Sequence, residues 1–331
     1  MRVGAALAVA ATLTAGGGAY WCRRHLRTAL APPPGGALVN IAPGESFRRI
    51  CERLESAGVV RHAAVLRVWA RWQGLDRLVR SGEYRFDRAR SPIEVLAVLR
   101  SPSAAVHRVT IPEGATVADV AATLAAAGFG GADHVQCLAR DPLFLSEVDV
   151  PASGLEGYLF PDTYAFAWSA APEEILRAMV RRFREQADAV APARAAARMS
   201  EQEMVILASV IEKETGAAPE RPVVSGVFHN RLRLGMALQS DPTAVYGRAD
   251  VDRPTAADLK VDSVYNTYRH AGLPPGPICN PGRAALEAAV TPAQVPYLYF
   301  VSRNDGTHEF SETLAEHNRA VARYQRPRRP Q

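Results

Sequence analysis

The pattern of apolar and charged positions separates the start of the chain from the rest. Residues 3–22 contain no charged side chain over 20 positions, enough for a helix to cross a hydrocarbon core of about 30 Å. A proline- and glycine-rich stretch follows at residues 31–36, a composition typical of a semi-rigid linker. We therefore predict a membrane anchor over residues 1–22 and a linker over residues 23–37.

The charges on either side of this anchor bear on its orientation in the membrane. Arg2 precedes the apolar stretch, whereas Arg23, Arg24 and Arg27 follow it. By the positive-inside rule alone the bulk of the chain would lie in the cytoplasm, although long domains translocate largely regardless of such charges. A cleaved signal peptide, cut within residues 15–19, is the alternative interpretation of the same stretch.

An internal repeat follows the linker. Residues 41–58 and residues 111–128 agree in residue type at seven positions with a constant offset of 70. Each copy predicts a strand end, a glycine turn, a Ser or Thr N-cap and a short amphipathic helix closed by glycine. Between them, residues 81–86 alternate like a strand and residues 92–99 resemble a helix. Together they predict a small α+β domain over residues 38–130.

The remaining residues, 131–325, predict a second domain that contains a buried helix. Pro172 begins one amphipathic helix, and the capping box from Ser200 to Glu203 begins the next. In this second helix the apolar side chains form one stripe, made of Met204, Leu207, Val210 and Ile211.

Two carboxylates end this helix, and they face different directions. Glu214 lies on the apolar stripe, whereas Glu212 points away from it. Loss of water around a carboxyl disfavours its charged form, so Glu214 is expected to stay protonated near neutral pH. A general acid needs that property. The alternative is that Glu214 is an ordinary helix-end residue that faces solvent.

Polar and aromatic side chains concentrate on the proline- and glycine-rich loops after this helix. Such side chains commonly line sugar-binding clefts, where rings stack and hydroxyl groups are hydrogen-bonded. Ordinary capped turns are the competing interpretation. We expect His308 to cap or bridge a turn rather than to act as a base. The candidate substrate-binding residues are Gln239, Ser240, Asp241, Thr243, Tyr246, Asn266 and Tyr268.

Composition narrows the range of partners. The net charge of +5 is small, and the 39 basic residues are spread along the chain, which argues against nucleic-acid binding. The four cysteines form no C-x-x-C pair and have no histidine cluster near them in sequence, so we expect no metal site. One disulfide is an alternative for three of them, but we favour free thiols.

Several motifs together resemble the endolytic murein transglycosylases of the YceG-like family. They run in order between about residues 38 and 324 and include Leu155-Glu-Gly-Tyr-Leu-Phe-Pro-Asp-Thr-Tyr, Ala208-Ser-Val-Ile-Glu-Lys-Glu-Thr, Leu238-Gln-Ser-Asp-Pro-Thr, Tyr265-Asn-Thr-Tyr and Gly272-Leu-Pro-Pro-Gly-Pro-Ile. The resemblance implies a membrane anchor, a LysM-like domain over residues 38–130, and a mixed α/β catalytic domain with a lytic-transglycosylase-like core over residues 131–325. Residues 326–331 are expected to form a disordered tail.

The resemblance also implies a reaction. Glu214 matches the catalytic glutamate of the motif, with Glu212 as a competing assignment. The implied reaction cleaves bonds between N-acetylmuramic acid and N-acetylglucosamine in nascent glycan strands, leaves 1,6-anhydro ends and limits strand elongation. It requires no cofactor. The implied partners are glycan strands, the membrane and peptidoglycan synthases.

The sequence also leads to an expected cellular location and to two alternative functions. We expect a single-pass protein of the cell inner membrane, with its catalytic domain on the periplasmic side. One rival is a hydrolytic muramidase that uses Glu214 and Asp241, since ordinary glycosidases use two carboxylates. The other is a non-catalytic scaffold that binds peptidoglycan.

Overall fold

The computed structural model describes residues 17, 20–42, 44–101, 107–151, 153–167, 170–248 and 254–325. Helices and two-stranded sheets alternate along these residues, which confirms the mixed α+β class. The chain divides into two compact units. The first comprises residues 1–108 with 165–170, and the second comprises residues 109–164 with 171–331.

Both predicted end segments fall largely on residues outside the described part. This holds for most of the predicted anchor, residues 1–22, and for the predicted tail, residues 326–331. Residues 20–27 are helical. Within the described ranges, no helix combines the length and the apolar character that crossing a membrane requires.

The first unit is a small sheet covered by helices. Strands β1 and β2 pair antiparallel, from Ala37 opposite Phe86 to Ile41 opposite Gly82. Alternate residues of β1 are buried, so one face of the sheet supplies the core. The elements are β1 (Ala37–Ile41), α1 (Phe47–Ser56), α2 (Ala63–Trp72), β2 (Gly82–Phe86) and α3 (Pro92–Arg100). The predicted strand at 81–86 and helix at 92–99 are thus confirmed.

Beyond α3 the described residues are mainly helical. Strands β3 and β4 form one two-stranded sheet, and β5 and β6 form an antiparallel hairpin in the second unit. The elements are β3 (His107–Thr110), α4 (Val117–Ala126), α5 (Ala132–Leu138), α6 (Pro142–Glu147), β4 (Thr163–Phe166), α7 (Pro172–Ala196), α8 (Glu201–Glu214), α9 (Arg221–Arg233), α10 (Asp241–Val245), α11 (Arg283–Val290), β5 (Tyr299–Ser302), β6 (His308–Ser311) and α12 (Leu314–Tyr324), with short 3-10 turns at Ala218–Glu220 and Asp258–Lys260.

The boundary between the units differs from the predicted division near residue 130. Both repeat copies have the expected local form, with a glycine turn at Gly44 and Gly114 and a helix after it. The second copy, however, belongs to the second unit. Its turn is held there by hydrogen bonds from Gly114 N to Asn280 O (3.0 Å) and from Asn280 N to Ala115 O (2.8 Å).

Helix α8 is the buried centre of the second unit. Ser200 and Glu203 form the predicted capping box. All eight residues from 204 to 211 are buried, because α7, α9, α10 and α11 all pack against this helix. The sequence predicted a single apolar stripe, whereas the helix is enclosed on every side along this stretch. Its last residue, Glu214, is therefore held by a rigid element.

Asn280 ties the surrounding loops together. This fully buried side chain accepts hydrogen bonds from the backbone N–H groups of Gly157 and Leu159, both at 2.9 Å, and donates to Ala115 O at 2.8 Å. One amide thus satisfies three backbone groups that would otherwise be buried without partners.

Gly157 provides a test of this packing. Its φ is +87°, and a Cβ atom there would lie 2.6 Å from both Pro277 Cγ and Val205 Cγ1. Gly272 has a φ of +89° but open space around it. We expect Gly272→Ala to cost about 1–2 kcal/mol from backbone strain alone, and Gly157→Ala to cost about 1–3 kcal/mol more from the clash. Chemical unfolding of both variants measures the difference, and equal costs would contradict the close packing.

Candidate active site

Glu214 places a desolvated carboxyl at the end of α8. The residue borders a cavity of about 720 Å³ that Asp241, Tyr246 and His308 also line. Although the residue as a whole is partly exposed, its Oε1 atom is buried and has no hydrogen-bond partner among the described residues. A carboxyl in such surroundings favours its neutral form.

The surroundings of Glu214 shift its proton affinity in opposite directions. Burial is the largest effect and raises the pKa to about 7, and the negative charge of Asp241 adds to the rise. The Ser240 hydroxyl and the Arg231 guanidinium lower this pKa by smaller amounts. The net result is a carboxyl that can exist in both protonation states near neutral pH, as a group that donates and then accepts a proton requires.

Ser240, like Glu214, has a buried side-chain oxygen without a hydrogen-bond partner among the described residues. Its Oγ atom approaches the carboxyl without a hydrogen bond of normal geometry, and it is buried with no other partner in the described chain. The backbone N–H of Ser240 donates to Thr267 Oγ1 at 3.0 Å, which fixes the residue's position. Two unpaired buried polar atoms at one place are costly unless a ligand hydrogen-bonds to them.

Asp241 is the second carboxylate of the cavity. It is the first residue of α10 and is exposed. Tyr268 donates its hydroxyl to Asp241 Oδ1 at 2.6 Å. Tyr268 therefore reaches the cavity wall through Asp241, and the negative charge of Asp241 helps to keep Glu214 neutral.

Tyr246 joins the cavity to a partly buried acid that the sequence did not reveal. Its hydroxyl donates to Glu156 Oε2 at 3.0 Å, and its ring centroid lies 4.6 Å from that of Tyr265. Burial raises the pKa of Glu156 to about 7. Both oxygens of Glu156 also accept from the Val117 N–H, at 3.1 and 3.2 Å. The carboxyl fixes Tyr246 at the cavity wall.

Three of the predicted substrate-binding residues instead hold the loops. Thr243 Oγ1 donates to Ser240 O at 2.6 Å and is 2.8 Å from Thr267 Oγ1. Asn266 is fully buried and donates to the carbonyls of two nearby residues. Gln239 Oε1 accepts from Arg231 at 3.0 Å. The structure thus brings Ser240, Asp241 and Tyr246 to Glu214, whereas Thr243, Asn266 and Gln239 support the wall behind them.

Arg231 was also absent from the predicted site. Burial lowers its pKa, yet its guanidinium is surrounded by acceptors. It donates from Nε to Leu298 O at 2.6 Å and from Nη1 to Ala237 O and Leu238 O, both at 3.0 Å. A polar residue in an amphipathic helix gives no sequence signal for such loop contacts.

Glu212, the competing assignment for the catalytic acid, is fully engaged elsewhere. Its Oε1 accepts from Arg221 Nη2 at 3.0 Å and its Oε2 accepts from the Gly282 N–H at 2.9 Å. Its side chain is only 5% exposed. Removing one partner of a buried ion pair leaves the other charge without compensation, at high cost, so Glu212 stabilises the ends of the helices around it.

The described residues offer no metal site: no three of their His, Cys, Asp or Glu side chains are grouped so that they could hold an ion. The four cysteines are free thiols, and Cys51 and Cys279 are buried.

A comparison with known protein families identifies the chain. A family model described as the YceG-like family matches residues 39–323. The chain belongs to the YceG-like family. This confirms the resemblance predicted from its motifs.

Two relatives of this YceG-like chain have the same name, and a third has a solved structure. A Bacillus subtilis protein named endolytic murein transglycosylase is 30% identical over 303 residues, which cover 86% of this chain and 84% of the relative. A Streptococcus pneumoniae protein of the same name is 28% identical; the match covers 95% of this chain and 63% of that longer protein. A crystal structure of a YceG-like protein from Listeria monocytogenes, 30% identical, matches with a TM-score of 0.63 over 86% of this chain and 98% of that one.

The raised pKa of Glu214 predicts a pH-dependent stability. The unfolded carboxyl has the ordinary pKa of 4.5, whereas the folded one titrates at about 7. The folded state therefore binds the proton more tightly, and its free energy of unfolding falls as pH rises between these values. A Glu214→Gln variant lacks this term. Between pH 4.5 and 7.5, we expect the wild type to lose about 3 kcal/mol relative to the variant.

Urea unfolding of both proteins across this pH range measures the effect. Glu156 titrates in the same range but is present in both proteins, so its contribution cancels in the difference. A difference that does not change with pH would show that Glu214 is not desolvated in the folded protein.

Proposed function

We propose that this YceG-like protein is an endolytic peptidoglycan lytic transglycosylase. The observation that carries the proposal is the carboxyl of Glu214, which is buried at the end of α8, has a pKa of about 7 and opens on a cavity of about 720 Å³. Relatives named endolytic murein transglycosylase support the substrate class.

The reaction begins with protonated Glu214. It donates its proton to the oxygen of the bond between N-acetylmuramic acid and N-acetylglucosamine, and the bond from that oxygen to C1 of the muramyl ring breaks. Positive charge develops at C1. The C6 hydroxyl of the same ring then attacks C1, and the Glu214 carboxylate removes the hydroxyl proton. The products are a 1,6-anhydro end and a free N-acetylglucosamine hydroxyl, and Glu214 is protonated again.

One carboxyl is sufficient for this sequence of steps. The nucleophile belongs to the substrate and is already close to C1, so the protein does not need to activate water. Glu214 can change between donor and acceptor because its pKa lies near neutral pH. In the ionised state, the nearby Arg231 charge and Ser240 hydroxyl stabilise the carboxylate.

A hydrolytic muramidase is the second candidate, and Asp241 is the observation that favours it. Asp241 lines the same cavity as Glu214, and two carboxylates flanking a glycosidic bond are the usual arrangement for hydrolysis. Asp241 is, however, exposed and already accepts the Tyr268 hydroxyl at 2.6 Å. We therefore propose that Asp241 helps to raise the pKa of Glu214 and does not activate water.

Product analysis separates these reactions. We expect the full chain to convert murein glycan strands into fragments with 1,6-anhydro ends, which are lighter by one water than hydrolytic fragments. Glu214→Gln should lower the rate by about 100-fold or more, because it removes the only proton donor of the mechanism. Mass spectrometry of the digests measures both results.

Two further variants complete this experiment. Asp241→Asn should retain the anhydro product, whereas a muramidase would lose its reducing-end product. Glu287→Gln, which removes a surface carboxylate paired with Arg283, is the control and should leave the rate unchanged. Predominantly reducing ends from the wild type would contradict the transglycosylase, and glycan binding without any product would indicate a scaffold.

We also propose that the protein acts from the outer face of the inner membrane. The uncharged residues 3–22 would anchor it, a LysM-like domain following the linker would bind glycan, and the catalytic domain would lie in the periplasm. Nascent glycan strands are the substrate there. Cleavage within them would limit their elongation, and a peptidoglycan synthase would be the natural partner.

The orientation can be tested with a reporter enzyme that is active only outside the cytoplasm. Fused after Arg27 of the full N-terminal segment, this reporter should be active in cells, because a long following domain outweighs the three arginines beyond the apolar stretch. The same fusion without residues 3–22 is the control and should be inactive. Activity only of a cytoplasm-specific reporter at this position would contradict the proposed orientation.

A further inference from the structure

The hairpin of β5 and β6 contributes a part of the cavity wall that the reaction described above does not use. Ser302 at the end of β5, Gly306 in the turn and His308 at the start of β6 all line the cavity that Glu214 borders. Among these, His308 is the one residue whose side chain carries ring nitrogens, and it borders the space in which the glycan would be processed.

The position of His308 is fixed from several directions. Its Nδ1 lies 2.7 Å from Glu220 Oε2, and its backbone N–H donates to Glu220 Oε1 at 3.0 Å. The side chains of His308 and Glu220 are only 11% and 17% exposed. The imidazole also meets the Phe300 ring edge to face, with centroids 5.4 Å apart. These contacts give the ring a fixed orientation at the cavity wall.

The ring nitrogen that these contacts leave open is Nε2. A carboxylate oxygen accepts hydrogen bonds, so the contact with Glu220 selects the imidazole tautomer whose proton lies on Nδ1. Nε2 then carries a lone pair. Within the described chain Nε2 has no hydrogen-bond partner, and it is not among the buried polar atoms that lack one. It is thus an accessible acceptor on the cavity wall.

We propose that His308 is a substrate-positioning residue whose Nε2 accepts a hydrogen bond from a hydroxyl or an amide N–H of an amino sugar bound in the cavity. The inference rests on the proposed function, since it takes the glycan strand as the ligand. Glu220 orients the imidazole. Glu214 supplies the proton, and His308 helps to hold the sugar so that its glycosidic oxygen meets that proton.

A purely structural role for His308 would not need this arrangement. The hydrogen bond from the His308 backbone N–H to Glu220 Oε1 already joins the start of β6 to the turn before α9. The chain also contains a comparable pair away from the cavity: His134 Nε2 lies 3.2 Å from Glu173, and these side chains are 54% and 32% exposed. His134 therefore serves as a matched control for removal of an imidazole that pairs with a carboxylate.

Steady-state kinetics of the full chain on murein glycan strands tests the inference. In His308→Ala we expect KM to rise about tenfold, the usual range for one lost hydrogen bond to substrate, with kcat changed less than about threefold. His308→Gln should recover most of the affinity, because its amide oxygen can accept in place of Nε2. Glu220→Gln should give an intermediate KM, and His134→Ala should match the wild type.

Glycan binding is also measured in a Glu214→Gln background, with and without His308→Ala. The same loss of affinity should be seen there without any chemistry. If the wild type binds glycan but does not cut it, the proposed reaction fails and these binding data alone decide the His308 contact. A wild type that neither binds nor cuts glycan overturns both.

Three results would overturn the inference specifically. The first is an unchanged KM and an unchanged glycan affinity in His308→Ala. The second is a kcat that falls while KM stays constant, which would make His308 part of the proton transfer. The third is an equal loss of melting temperature in the Ala and Gln variants with no rescue of affinity by Gln, since that pattern indicates a structural role only.

Discussion

The site depends on the desolvation of one carboxyl. Helix α8 is packed against four other helices, so its stretch from residue 204 to residue 211 is withdrawn from water. The helix therefore delivers Glu214 to the cavity at a fixed position with a raised pKa. Helix α10 and the residues at its two ends contribute Ser240, Asp241 and Tyr246, and each is fixed by a hydrogen bond to a neighbouring residue. A mobile or solvated helix end would give an ordinary, ionised glutamate.

Glu212 and Glu214 show how surroundings assign different roles to the same residue type. They are two positions apart on one helix, so they project in different directions. Glu212 meets the Arg221 guanidinium and the Gly282 N–H, and both of its oxygens are satisfied. Glu214 Oε1 has no such partner among the described residues. The first arrangement stabilises a charge and holds helices together, whereas the second favours the protonated form of the carboxyl.

The sequence predicted those features that depend on local pattern. The capping box at Ser200, the direction of Glu214 and the turn geometry of both repeat copies all follow from spacing within a few residues. The role of Asn280 and the burial of Glu156 depend on chain segments more than 100 residues apart, and no local pattern encodes such contacts. For the same reason the repeat predicted one domain, although the second copy belongs to the other unit.

Arg231 shows how an acid can keep its proton beside a permanent positive charge. A free guanidinium near Glu214 would strongly favour the carboxylate. The N–H groups of Arg231, however, donate to the carbonyls of Ala237, Leu238 and Leu298. Its Cζ atom lies over the Tyr299 ring, 5.1 Å from the ring centroid. Among the influences on the pKa of Glu214, Arg231 is weaker than burial. The Arg231 guanidinium thus holds the loops through these hydrogen bonds in either protonation state of Glu214. Its positive charge favours the carboxylate form of Glu214 over the neutral form.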